Sequence, residues 1–88
     1  MKLKENFVLR QVAGSYVVVA VGAASVDFNG MLTLNDSGAL LWRTLEGGAD
    51  RAALLAALTS EYDVDEAQAA RDLDEFLRSL RSAGCLAE

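Results

Sequence analysis

The acidic side chains Glu61, Asp63, Asp65, Glu66, Asp72, Asp74 and Glu75 crowd the last third of this sequence. Carboxylates close together can move protons or hold hard cations. The run Asp63-Val64-Asp65-Glu66 lacks the glycine and the closing glutamate of a calcium loop. It reads instead as a solvated helix start, where negative charge meets the positive end of the helix dipole. Asp72 stands apart. Beside Leu73 on an amphipathic helix, it is placed to meet a basic residue of a ligand.

Two other residue types invite chemistry. Ser37, in Asp36-Ser37-Gly38 at a helix start, echoes the serine of acyl and peptidyl carrier domains, which are acidic and of this length. Carriers are helical bundles, however, and Tyr16 to Val21 is a strand-forming run rather than a helix. The residue after Ser37 is also glycine instead of the usual aliphatic one. Cys85 follows Gly84, beyond a helix C-terminus, where no dipole favours a thiolate, and it reads as a packing residue. With one cysteine and no histidine, internal disulfides, cysteine-built metal sites and Ser-His or Cys-His nucleophile systems are all excluded. No catalytic residue, metal site or cofactor is expected.

The composition of 52% hydrophobic and 24% charged residues without proline is that of a folded chain rather than a disordered one. Its 88 residues suit a single domain over residues 1–88 with a modest core. The net charge of −5 argues against nucleic acid, because a binder of this size carries a basic face. No apolar run is long enough to cross a bilayer, and Met1 to Glu5 lacks a signal-peptide layout. The expected location is the cytoplasm, without a membrane partner.

The elements that position these residues follow from local pattern. Phe7 to Val12 and Tyr16 to Val21 read as strands joined at Ala13-Gly14-Ser15. Gly22 to Ser25 reads as a loop, Val26 to Phe28 as a short extended piece and Asn29-Gly30 as a tight turn. Met31 to Leu34 is the third strand, with Leu32 and Leu34 on one face and Met31 and Thr33 on the other. Asn35 or Asp36 caps a first helix that runs to Leu45 and stops at Gly47-Gly48, with Leu41, Trp42 and Leu45 on one side. Asp50 starts a second helix with a stripe of Leu54, Leu55, Leu58 and Tyr62. Asp65, with Gln68 three residues on as in a capping box, starts a third that ends at Gly84. Its apolar positions are Ala69, Leu73, Phe76, Leu77 and Leu80, and Asp74 with Arg78 falls at ion-pair spacing. The order predicts an α+β domain of winged-helix type: a small three-stranded antiparallel sheet, then three helices. The third strand would lie at a sheet edge, where unpaired backbone groups can accept a peptide as an extra strand.

The segment Leu34-Asn35-Asp36-Ser37-Gly38-Ala39-Leu40-Leu41-Trp42 carries more than local physics. With Phe7-Val8-Leu9-Arg10 upstream, and Asp72-Leu73 and Phe76-Leu77 followed by Leu80 downstream, it resembles the PqqD-like family over about residues 5 to 88. The resemblance implies a non-catalytic module that binds the leader segment of a ribosomally made precursor peptide. It would present that leader to a modifying enzyme, in the family often a radical S-adenosylmethionine enzyme. The leader would lie along the third strand in a groove closed by the third helix. The implied peptide-binding residues are Met31, Leu32, Thr33, Leu34, Asp72, Leu73, Phe76, Leu77 and Leu80. Within the helix stripe, Leu73 and Leu77 are expected to face inward, with Phe76 and Leu80 nearer the groove. A monomer and a strand-exchanged homodimer both fit an open edge.

The rival from another class is a winged-helix DNA-binding regulator, which shares the architecture. Against it, the cations of the third helix, Arg71, Arg78 and Arg81, are surrounded by acids. The carrier reading at Ser37 is the third alternative.

Overall fold

The computed structural model describes residues 1–22 and 32–87. The loop, extended piece and turn expected between Ala23 and Gly30, and Met31 at the head of the third strand, lie outside the described residues.

The elements are β1 (Lys2–Leu3), β2 (Phe7–Val12), β3 (Ser15–Ala20), β4 (Leu32–Leu34), α1 (Asp36–Glu46), α2 (Arg51–Glu61), α3 (Glu66–Ala83) and β5 (Leu86–Ala87). β2, β3 and β4 form an antiparallel sheet in that order. The α+β architecture expected from the sequence is the one observed.

β2 and β3 are joined by the two residues Ala13 and Gly14, with φ of 51° and 82°. Positive φ at both positions makes a type I′ turn, whose twist suits a tight hairpin. Ser15 therefore belongs to β3, paired with Val12, rather than to the turn. Across the sheet, Leu9, Val18 and Leu32 stand in one row, and Gln11, Tyr16 and Leu34 in the next. Residues in such rows share a face. That face meets the helices: Val18 and Leu34 are buried, while Leu9, Tyr16 and Leu32 are half-buried against the core.

Each helix begins at a side-chain cap. Asn35 rather than Asp36 caps α1, its Oδ1 accepting from Gly38 N–H at 2.8 Å. Asp50 caps α2 through Ala53 N–H at 2.8 Å, and Asp65 caps α3 through Gln68 N–H at 2.7 Å. The Gln68 side chain does not complete a capping box; its Nε2 donates to Asp72 at 2.9 Å instead. α3 ends at Gly84, whose φ of 76° is cheap only for glycine. There Gly84 N–H donates to Arg81 C=O and Cys85 N–H to Leu80 C=O.

A feature with no sequence signal ties the termini together. β1 and β5 pair antiparallel, Lys2 with Ala87 and Leu3 with Leu86, and Met1 bonds Ala49 in both directions. Two-residue strands have no periodicity to read; tertiary packing makes them.

The core joins Val18 and Leu34 of the sheet to Leu41, Trp42 and Leu45 of α1 and to Leu54 and Leu58 of α2. Ala69, Leu73, Leu77 and Leu80 of α3 complete it, with Cys85 and Leu86 beyond. Trp42 is fully buried, and its Nε1 has no hydrogen-bond partner among the described residues. α2 and α3 are clamped outside the core by Arg51 and Asp74. The expected Asp74–Arg78 pairing gives way to this bond between helices, with Nε to Oδ1 at 3.0 Å and Nη2 to Oδ2 at 3.2 Å. A two-pronged guanidinium–carboxylate contact outcompetes a single charge one turn away.

Candidate functional site: a groove between a strand edge and a helix

Among the described residues, β4 pairs with β3 on one side only, and its opposite edge borders a groove of about 530 Å³. Leu32, Thr33 and Leu34 form one wall, and Asp72, Glu75, Phe76 and Ser79 of α3 form the other. Leu41 and Leu58 lie in the floor, with Asn35, Ser37 and Gly38 at the head of α1.

Alternation along the sheet decides which backbone groups face this groove. In a two-residue hairpin the closing pair, here Val12 and Ser15, exchanges hydrogen bonds. Counting along β3, residues 15, 17 and 19 turn their N–H and C=O toward β2, and Val21 N–H continues the pattern by donating to Asn6 C=O at 2.8 Å. Tyr16 and Val18 therefore turn toward β4 and bond Leu34 and Leu32. Thr33, opposite Val17, has both its N–H and its C=O pointing out of the sheet at the open edge. Its side chain is exposed on the outer face.

The capping segment shapes the groove's end. Asn35 Oδ1 accepts from both Gly38 N–H and Ser37 Oγ–H, the latter at 3.0 Å. Gly38 is buried, and a Cβ there would come within 3.2 Å of both Leu34 Cβ and Asn35 Oδ1. Glycine is what lets α1 start this close to β4. Ser37 is thus a cap hydroxyl beside a sheet, which no helical carrier bundle contains.

Of the residues expected at the site, Leu32, Thr33, Leu34, Asp72 and Phe76 come together at the groove. Leu73, Leu77 and Leu80 do not line it. Leu80, expected near the groove, is fully buried, and Leu73 and Leu77 are core as well. The reason is helical geometry. At about 100° per residue, Leu80 falls inside the arc from Ala69 to Leu77, between Ala69 and Leu73, while Phe76 falls just beyond its margin, on the side of Asp72 and Ser79. The same projection marks Glu75 and Ser79 as groove residues, a signal the apolar spacing alone hides. Asn35, Ser37, Gly38, Leu41 and Leu58 carry no such mark, because the fold brings them there from other elements.

A second, smaller hollow of about 300 Å³ continues from the first. Asn35, Ser37, Leu58 and Asp72 border both, and Asp36, Tyr62, Val64 and Ala69 close the far end.

Among the described residues, no group of three or more histidine, cysteine, aspartate or glutamate side chains is placed to hold a metal ion. Cys85 lies in the core, where burial pushes its thiol up and away from the reactive thiolate. Among the described residues, no helix is long and apolar enough to cross a membrane.

The family model described as coenzyme PQQ synthesis protein D (PqqD) matches residues 9–86. The chain belongs to this family. Among curated proteins, none matches it in sequence. Two solved structures share its fold closely. "TbiB1 in complex with the TbiA(beta) leader peptide" has a TM-score of 0.77 at 25% identity, with all of both chains covered. "Lasso peptide synthetase B1 complexed with the leader peptide" has a TM-score of 0.76 at 28% identity, covering 99% of this chain and 96% of the other.

Proposed function

We propose that this member of the PqqD family is a non-catalytic recognition module that holds the leader segment of a ribosomally made precursor peptide. Thr33 carries the reading. Its outward N–H and C=O sit at an open strand edge, facing a groove walled by α3. An extended peptide laid there gains backbone hydrogen bonds whatever its sequence, and the groove reads its side chains. Leader peptides are what the two structural neighbours hold, by their names, and both match this chain over nearly its whole length.

The module's benefit is effective concentration. A leader held on the module keeps the attached core peptide near the partner enzyme through repeated encounters. That partner is a peptide-modifying enzyme; the family resemblance favours one of the radical S-adenosylmethionine type, and the lasso-peptide neighbour favours assembly of another kind of product. The cytoplasm, where ribosomes release the precursor, is its place of action. The module works as a single domain without a cofactor of its own, as a monomer or as a strand-exchanged dimer.

The test is a titration of isotope-labelled protein with the leader of its precursor, followed by amide shifts. Changes centred on Leu32 to Leu34 and on Asp72 to Ser79 support the reading. Changes confined to Arg51 to Ser60, with β4 silent, would sink it.

A further inference from the structure

Asp72 stands where the two hollows meet. On the strand side, Leu41, Leu58 and Phe76 give an apolar floor and wall; on the far side, Leu58, Tyr62, Val64 and Ala69 do the same. Charge along the path has one sign. Asp72 and Glu75 border the first hollow and Asp36 the second, while no lysine or arginine lines either. Among the described residues the carboxylates of Asp72 and Glu75 form no ion pair; Asp72 accepts only the neutral Gln68 amide. The nearest cations in sequence, Arg71 and Arg78, stand at neighbouring helical positions to Glu75, i−4 and i+3, but line neither hollow, and Arg71 donates to Gln68.

We propose that the groove selects leaders carrying a lysine or arginine between two apolar side chains, with the cation over Asp72 and Glu75 and one apolar anchor in each hollow. This rests on the leader-binding reading. It adds to it the class of leader that fits. Two carboxylates at the junction repel an acidic leader residue and favour a basic one, so the preference is set by repulsion as well as attraction. Because the pair is partly solvated, it tunes choice among leaders rather than supplying most of the affinity.

The experiment is selection of phage-displayed random peptides on the purified protein and on three variants. Asp72→Asn with Glu75→Gln removes the junction charge. Glu5→Gln with Glu46→Gln removes the same charge from positions that line neither hollow. Thr33→Pro removes the outward N–H. The unaltered protein should enrich peptides with a basic residue flanked by apolar ones, and so should the Glu5/Glu46 variant. The Asp72/Glu75 variant should lose the basic preference, and a peptide selected on the unaltered protein should bind it roughly fivefold more weakly. A basic preference that persists in the Asp72/Glu75 variant, or fades equally in the Glu5/Glu46 variant, overturns the proposal and assigns the effect to the net charge of −5. Apolar peptides without cations that still depend on Thr33 overturn it too, yet leave leader docking at the strand intact. Peptides indifferent to Thr33→Pro, or no enrichment at all, overturn both readings.

Discussion

Thr33 of β4 stands opposite Val17 of β3 in a pair that exchanges no hydrogen bonds, so its N–H and C=O face the open edge of the sheet. Its neighbours Leu32 and Leu34 spend theirs on Val18 and Tyr16. One residue therefore separates a backbone that serves the fold from one that is offered to a ligand.

Proline distinguishes the two. Thr33→Pro should leave the far-ultraviolet circular dichroism intact, because an edge position pointing outward needs no N–H for the fold. Leader affinity should drop about tenfold, the worth of one hydrogen bond plus the steric cost of the ring. Leu34→Pro should instead unpair β4 from Tyr16 and lower the melting temperature. Equal leader binding by the Thr33 variant and the parent, measured by calorimetry, would contradict the assignment of the edge.

Phe76 and Leu80 should part company. Phe76 is half-buried at the groove wall, and Leu80 is wholly enclosed. Phe76→Ala should weaken leader binding with a modest loss of stability. Leu80→Ala should cost about 2–5 kcal/mol of stability through the cavity it leaves, and Leu80→Asp should prevent folding. Chemical denaturation alongside leader titration checks both.

Trp42→Ala should cost about 3–5 kcal/mol, a large part of what a small domain has to lose. Trp42→Phe should cost much less, since it keeps a ring in the core and deletes an indole N–H that has no partner among the described residues. A phenylalanine variant as unstable as the alanine one, by urea midpoint, would show that the N–H matters after all.

The Arg51–Asp74 clamp should show in acid. The hydrogen bonds from Arg51 hold the Asp74 carboxyl below its ordinary range. A lowered folded-state pKa gives stability that is present above the unfolded value, about pH 4, and is lost as pH falls through the folded one. The small advantage of the parent over Asp74→Asn should therefore shrink below that pH. Both groups are exposed, so the effect is slight; leader binding should not change, as neither residue lines the groove. Melting temperatures of the two proteins across acidic pH are the measurement.

Ala13 sits in the type I′ turn at a φ of 51°, where its Cβ is strained. Ala13→Asn supplies a residue that tolerates this conformation and should raise stability by about 0.5–1 kcal/mol. A thermal melt decides it, and a lower melting temperature would speak against the turn assignment.

What the sequence by itself determined is what short-range physics controls. β2, the hairpin, the three capped helices and the glycine stop at Gly84 are written in neighbouring residues, because a cap or a turn needs only a few consecutive side chains. The edge position of β4 followed from chain order. The tertiary structure alone decided the rest. Asp74 chose Arg51 from α2 over Arg78 on its own helix once packing brought two prongs of a guanidinium within reach. Leu80 went inward and Phe76 to the groove because packing against α2 and the shared core sets which arc of α3 is covered. The groove itself, where Thr33, Leu58 and Asp72 meet from three elements, exists only after the core has closed, since no local pattern records which distant surfaces will face each other.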